Sequence, residues 1–249
     1  MEWLDAILIL ITGLIAGFAN TVAGGGSLLS VPVLIFLGVP PVMANATNRV
    51  AIFFQNIFAV RGFRSKGVDA FPYAYWLSGS ALIGAIIGAK IAVEIEGELF
   101  NKILAVVMIA VIGITVFRPF KSATGDAEKL DFKNQVIGTI AFFFVGIYGG
   151  FIQAGVGFFV IAILASVNNF SLVKTNSAKV FIILVYSIAA LAVFIYEDVI
   201  HWTYGLTLAV GNSLGGWFGS RWQVDKGDLW VRRFLIVAVT VMAIKLWFF

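Results

Sequence analysis

The chain has no cysteine and a single histidine, His201, among its 249 residues. Without thiols it can form neither a disulfide framework nor a thiolate metal site. Charged residues make up 12% of the sequence, against about a quarter in an ordinary soluble domain. The apolar segments contain no Asp or Glu away from their ends, which removes candidates for a carboxylate sodium site, a proton relay or intramembrane catalysis. We therefore expect no enzyme activity, no metal and no cofactor.

Apolar residues account for 61% of the sequence, and the mean hydropathy is +1.00. A soluble core of this length cannot absorb so much apolar side chain, so the bilayer must be the solvent for much of the chain. The net charge of +4 and pI of 9.4 could suggest nucleic acid, but the cations lie mostly in short loops between apolar runs. We expect a multi-pass, all-α membrane protein that contacts lipid and binds no nucleic acid.

The sequence repeats itself at an interval of 131 residues. Ala23-Gly24-Gly25-Gly26 returns as Ala154-Gly155-Val156-Gly157, and the glycine-striped segment 84–90 returns at 215–221. A duplicated apolar chain with glycine-broken segments at corresponding places is typical of secondary transporters. We divide the chain into a first transmembrane repeat at 1–117, a cytoplasmic linker at 118–133 and a second transmembrane repeat at 134–249.

Each half contains five apolar runs. They lie at roughly 3–20, 27–37, 43–62, 71–93 and 98–117, and at 134–150, 157–168, 172–196, 203–221 and 229–249. A full crossing needs about 20 residues, which the last three runs of each half provide. The second run of each half is too short and is joined to the first through the glycines. We interpret each such pair as a Gly-broken, re-entrant helical hairpin whose tip reaches the membrane interior.

Charge segregation in the loops predicts the orientation. Loops 61–70, 118–133 and 221–233 are basic, whereas the turns at 94–98 and 197–198 are acidic. With the basic loops in the cytoplasm, the acidic turns and both termini are extracytoplasmic. Each half then has an odd number of crossings, whether its hairpin spans or re-enters. The second half must enter from the opposite side, which predicts two inverted-topology repeats with hairpins that approach each other.

The glycine clusters are the first candidates for a binding site. Adjacent glycines are unfavourable within a helix and leave backbone amides unpaired, and such amides at a helix start suit an anion. The alternative is close helix packing of the small-xxx-small kind. The candidate residues are Asn20, Thr21, Gly24, Gly25, Gly26 and Ser27 in the first half, and Gln153, Gly155 and Gly157 in the second.

Arg49 and Lys179 occupy matching places in the first run after each hairpin. A cation inside an apolar run costs several kcal/mol unless it is paired, and no acidic residue lies in the run of Arg49. The partner of Arg49 must be remote, a carbonyl or an anionic ligand; the alternative is that the side chain snorkels to the interface. The candidate set on these two runs is Asn45, Thr47, Asn48, Arg49 and Asn56, with Asn176, Ser177 and Lys179 in the second half.

A third pair of cations, Lys90 and Arg221, closes the two glycine-striped segments. We expect these stripes to be packing faces and these cations to be interfacial anchors.

The sequence resembles the sulfite exporter TauE/SafE family of membrane permeases over nearly its whole length. The likeness lies in the glycine triplet followed by segments 28–34 and 37–40, in Ala44 to Arg49, and in the stripe from Gly84 to Gly88. The second half matches more loosely. The resemblance implies an integral inner-membrane permease whose relatives move small sulfur oxyanions or organosulfonates, such as sulfite and sulfoacetate.

The residues themselves indicate an anion, because the polar groups of the apolar runs are hydrogen-bond donors and cations. Our hypothesis is a permease that works by alternating access at a central site between the two repeats. The alternative is a channel-like or regulatory membrane protein that binds an anion without alternating access. The sequence leaves open which anion is carried, the direction of transport, the coupling ion and whether the chain forms a homodimer.

Overall fold

The computed structural model describes residues 3–69, 72–117 and 128–248, and these contain helices and turns but no strand. The prediction of an all-α protein is confirmed. Most of the predicted linker, including Asp126, lies outside the described residues. The helices are α1 (Trp3–Val22), α2 (Ser27–Phe36), α3 (Pro41–Arg64), α4 (Pro72–Glu94), α5 (Gly97–Phe117), α6 (Phe132–Phe151), α7 (Val156–Val167), α8 (Leu172–Tyr196) and α9 (Trp202–Phe248).

The helix ends follow from local backbone chemistry. Gly24 (φ 92°) separates α1 from α2, and Gly155 (φ 73°) separates α6 from α7, because glycine adopts positive φ without a steric penalty. Pro41 takes the first position of α3, where its missing N–H costs nothing. At the start of α8, the Ser171 hydroxyl accepts a hydrogen bond from the backbone N–H of Lys174.

Four described helices are long and apolar enough to cross a membrane: α1, α4, α6 and α8. The helices α2 and α7 are shorter, at 10 and 12 residues. The helix α9 is broken at Gly227 (φ 74°, ψ 178°), so it consists of two helical parts. The sequence predicted two runs here with a turn at 221–233, and the break lies within that turn.

Glycine stripes pack the first arm of each hairpin against a helix from the other half of the chain. α1 packs on α9 and α6 packs on α4. A Cβ atom added to Gly88 on α4 would lie 2.8 Å from Phe151 N, and one added to Gly215 on α9 would lie 2.6 Å from Phe18 N. Backbones this close exclude any side chain, which confirms that the stripes are packing faces. Gly79 is an exception, since nothing lies within 4 Å of an added Cβ there.

Side-chain contacts join the loops to one another at each of the two ends of the molecule. At one end, Lys66 forms an ion pair of 2.7 Å with Asp225, and Arg221 donates to Ser65 Oγ at 3.0 Å, so the basic loop 61–69 meets the turn after residue 221. At the other end, the backbone N–H of His201 donates to Thr47 Oγ1 at 2.9 Å, beside the start of α3. Between these ends, α3 and α8 pack against each other through the middle of the molecule.

Candidate functional site

The polar residues predicted to form a site are all buried, although the helices that contain them are largely apolar. Arg49 is 0% exposed and Lys179 is 1% exposed. No Asp or Glu is buried in the described parts of the chain, so these two cations are the buried charges found there. The same burial holds for the other predicted site residues, which are Asn20, Thr21, Gly24, Gly25, Gly26, Ser27, Asn45, Thr47, Asn48, Asn56, Gln153, Gly155, Gly157, Asn176 and Ser177.

Arg49 on α3 reaches across to the end of α6. Its Nη1 donates to Gly149 O at 2.5 Å and to Gln153 Oε1, and its Nη2 donates to Gly150 O at 3.1 Å. The guanidinium also lies 5.6 Å from the ring centre of Phe194. The last carbonyls of a helix have no partner within the helix and carry the negative end of its dipole, so a cation there is favourable. Arg49 is therefore held by carbonyls and does not snorkel to the surface.

Lys179 on α8 makes the matching contact with the end of α1. Its Nζ donates to Asn20 O at 2.9 Å, Thr21 O at 2.9 Å and Asn176 Oδ1 at 2.8 Å. An ammonium has three N–H donors, so all of its donor capacity is in use. A guanidinium has five, and Arg49 uses three of them on these acceptors. The two cations are equivalent in position, but only Arg49 retains N–H donors beyond those used in these bonds.

The two glycine hairpins touch. A Cβ added to Gly24 would lie 2.5 Å from the carbonyl carbon of Gly157, and one added to Gly157 would overlap Gly24. The helices that follow, α2 and α7, both begin without a side-chain cap at their N-termini. Two uncapped helix starts with the positive ends of their dipoles therefore lie beside a contact that only glycine allows.

Among the buried polar atoms that have no hydrogen-bond partner in the described structure are Ser27 Oγ, Asn48 Nδ2, Arg49 Nε and Gln153 Nε2. Side-chain bonds join Asn48 to helix α2, on which Ser27 lies, and Arg49 to Gln153. Ser30 Oγ, in the first turn of α2, donates to Asn48 Oδ1 at 2.7 Å, and Arg49 donates to Gln153. We call Ser27, Asn48, Arg49 and Gln153 the donor cluster. Three of its unpaired atoms are N–H groups, which suit an anionic ligand.

Four other predicted residues use their donors on backbone carbonyls, two of them between helices and two within their own helix. Asn45 Nδ2 donates to Phe151 O at 2.8 Å, and Asn176 Nδ2 donates to Val22 O at 2.9 Å, so each amide also reaches the end of the opposite hairpin arm. Thr21 Oγ1 donates to Gly17 O at 2.8 Å within its own helix. Asn56 Nδ2 donates to Ile52 O, one turn away. These bonds place the four residues in the framework around the donor cluster.

Tyr186 and Gln55 belong to the same polar interior and were not among the predicted residues. Tyr186 OH donates to Gln153 Oε1 at 2.9 Å, which orients that amide so that its Nε2 remains unpaired. Gln55 Nε2 donates to Thr21 Oγ1 at 3.3 Å, and Gln55 Oε1 accepts from Asn20 at 3.1 Å. The repeat interval of 131 residues relates Gln55 to Tyr186, so the repeat itself was a signal that could have found this pair.

Lys90 and Arg221, the predicted anchors, lie away from the donor cluster. Arg221 bonds to Ser65 and lies 5.2 Å from the ring centre of Trp217. Lys90 is exposed near the end of α4.

Comparison with known proteins gives a match to one family. The family model described as "Sulfite exporter TauE/SafE" matches residues 9–246. The probable membrane transporter protein ORF9 of Sinorhizobium sp. is 25% identical over 95% of this chain and 90% of its own length. The probable membrane transporter protein YfcA of Escherichia coli strain K12 is 27% identical over 94% of this chain and 86% of its own. A probable membrane transporter protein of Haemophilus influenzae is 24% identical, with coverage of 98% and 95%. No solved structure gives a significant match.

Proposed function

Because the chain belongs to the sulfite exporter TauE/SafE family of membrane transporters, we propose that it is a permease for a small sulfur oxyanion or organosulfonate such as sulfite or sulfoacetate. The substrate binds at a central site formed by the donor cluster, and transport proceeds by alternating access between the two halves.

The observation that supports an anion most strongly is the donor cluster with its unpaired buried atoms. A buried donor without a partner costs about 1–3 kcal/mol. Three such N–H groups lie around Arg49, in an interior whose described buried charges are cations. An oxyanion would accept from these groups and offset the buried positive charge, and the helix starts at Ser27 and Val156 would add favourable dipoles. The family description names sulfite, which has these chemical properties.

Paired contacts support the proposal of two inverted repeats with re-entrant hairpins. α1 packs on α9 as α6 packs on α4, and α3 packs on α9 as α8 packs on α4. Arg49 bonds to the end of α6 as Lys179 bonds to the end of α1. A pseudo-two-fold axis in the membrane plane would generate all of these pairs. The short helices α2 and α7 fit the returning arms of hairpins that do not span the bilayer.

Alternating access is supported by the burial of the site. Every residue of the donor cluster is no more than 2% exposed, so the ligand cannot enter or leave without movement of the surrounding helices. Transport of sulfite, thiosulfate, sulfoacetate, taurine or sulfate into proteoliposomes, with counter-transport, tests the function directly. Saturable uptake with counter-transport is expected. Uptake that rises without saturation would instead support the channel-like alternative.

Replacing Arg49 with lysine and Lys179 with arginine tests anion binding separately from the bonds that these cations make to the helix ends. Arg49→Lys keeps a cation beside Gly149 O and Gly150 O, as Lys179 stands beside Asn20 O and Thr21 O, but removes Nε. We expect a folded protein whose affinity for its anion falls by roughly 1.5–3 kcal/mol, or about ten- to over a hundredfold. The measurement is isothermal titration against the same anion panel.

Lys179→Arg is the matched control, because the lysine has no free donor to lose. Its affinity should stay within about threefold of the wild type. An Arg49→Lys protein that binds as tightly as the wild type would remove Arg49 from the anion site, whereas loss of binding in Lys179→Arg alone would move the site to the opposite hairpin.

The orientation is proposed from the charge of the loops and from the ends at which they meet. The basic loop 61–69 and the turn after residue 221 are joined by the Lys66–Asp225 ion pair, so they share one side. Single cysteines at Lys66, Asp126 and Lys226 should react only from the cytoplasm, and cysteines at Glu96 and Asp198 only from outside. The natural chain has no cysteine, so every signal comes from the introduced thiol. External labelling at any of the three basic positions would contradict the scheme.

A further inference from the structure

A charged cleft lies between the ends of α4 and α8, away from the donor cluster. It has a volume of about 600 Å³, and its lining includes Lys90, Val93, Glu94, Val193, Tyr196 and Glu197. Lys90, Glu94 and Glu197 are exposed, and no opposite charge lies within ion-pair distance of them in the described structure. The proposed permease activity makes no use of these groups.

The cleft opens beside exposed apolar side chains that are suited to contact with lipid. Both of its helices are long and apolar enough to span a membrane. Next to it, Ile87 and Ile91 on α4 are each 41% exposed, and Ile188 on α8 is 53% exposed. Large aliphatic side chains exposed on two spanning helices are suited to acyl chains. Tyr196, at the end of α8, is of the type that lies at the level of the headgroups.

The charges of the cleft are arranged in order along the helix axis. Lys90 lies one turn inside the end of α4, about 6 Å deeper than Glu94 at 1.5 Å per residue. Glu94 ends α4, and Glu197 follows the last residue of α8. Toward the ends of the two helices, the exposed Ile87 and Ile188 come first, then Lys90, then the two carboxylates Glu94 and Glu197. A phospholipid with an amino headgroup presents acyl chains, then phosphate, then ammonium, which is the complementary order.

We propose that this cleft binds a phospholipid with a primary ammonium headgroup, of the phosphatidylethanolamine type. Lys90 contacts the phosphate, and Glu94 and Glu197 accept hydrogen bonds from the ammonium. A choline headgroup has no N–H to donate, and a glycerol headgroup has no positive charge to oppose the carboxylates. The cleft therefore ranks these lipids in the order ethanolamine, choline, glycerol.

Native mass spectrometry of the purified full chain, equilibrated with equal amounts of the three lipid types, tests the ranking. Each exposed charge contact is weak, so the preference for ethanolamine over choline lipid should be about three- to tenfold. The double variant Glu94→Gln/Glu197→Gln should reduce that preference to about one. Lys90→Gln should lower the binding of the ethanolamine lipid and of the choline lipid together. Glu98→Gln is the control, because Glu98 is exposed near the same end but outside the cleft, where it pairs with Lys102.

Equal binding of ethanolamine and choline lipids by the wild type would overturn the proposal. Preference for the glycerol lipid would do the same, since it would assign the cleft to anionic lipid through Lys90 alone. A preference that survives in the double variant would also contradict the proposal, because the ammonium would then be recognised elsewhere.

Discussion

Replacing Arg49 with Gln should lower the free energy of unfolding by about 3–5 kcal/mol, the largest effect expected of any side chain in the interior. The guanidinium is the described partner of Gly149 O and Gly150 O and also binds the Gln153 side chain. A glutamine is too short to reach the same acceptors, so two buried carbonyls at the end of α6 would be left unpaired. Thermal or denaturant unfolding of the purified protein in detergent measures the change.

The control for this substitution is Lys102→Gln. Lys102 forms an exposed ion pair of 2.7 Å with Glu98, and its side chain is 70% exposed. Such pairs contribute about 1 kcal/mol or less, so its unfolding should be nearly unchanged. If Arg49→Gln unfolded like Lys102→Gln, the guanidinium would not be holding the end of α6. Loss of anion binding in Arg49→Gln is interpretable only in the fraction that remains folded, which is why the exchange to lysine is the sharper test of the site.

Adding a single methyl group at the contact between the hairpins should be nearly as damaging. In Gly157→Ala the new Cβ would overlap Gly24, and the neighbouring atoms are backbone that cannot rotate away. We expect a loss of about 3 kcal/mol, the upper end of the usual cost of overpacking. Unfolding in detergent at matched expression is again the measurement.

Two glycines of the same chain serve as controls for this contact. Gly79 lies within α4 with open space where its Cβ would be, so Gly79→Ala should stabilise the protein by up to about 1 kcal/mol through helix propensity. Gly38 has positive φ (84°) like Gly24 but nothing within 4 Å, so Gly38→Ala reports the backbone strain that a substitution at Gly24, on the other side of the contact, would add to the clash. A tolerated Gly157→Ala would mean that the hairpins do not touch.

Much of the fold could be predicted from the sequence because the signals are local or repeated. Apolar runs bounded by polar residues, glycine or proline predicted helix limits close to those observed, as at α8, where run and helix both cover 172–196. The match between α2 and the short run at 27–37 followed from the glycines before it. The repeat, with an offset of 130 residues in this segment, also placed Arg49 and Lys179 at corresponding positions on α3 and α8.

The partners of the site residues could not be predicted, because they are distant in sequence and are backbone atoms. Arg49 bonds to carbonyls 100 and 101 residues away, and any residue type supplies a carbonyl. The sequence therefore left three kinds of partner open for this cation. It also treated Arg49 and Lys179 as alike, since only the geometry reveals that the lysine has used all of its donors. For the same reason, the sequence could not distinguish residues such as Asn45, which bond to neighbouring helices, from the residues of the donor cluster.

The exchange of contacts between the halves has a consequence for how such a chain could have originated. Arg49 holds the end of α6, and Lys179 holds the end of α1, so each half provides the cation that the other half needs. A half-length ancestor folding alone would bury one unpaired cation and leave one helix end without a partner. Two antiparallel copies of that ancestor would satisfy both at once with a single kind of residue. In a fused chain the two cations could then diverge, so that Lys179 uses all of its donors on the end of α1 and on Asn176, while Arg49 keeps donors beyond those that bond to the end of α6 and to Gln153.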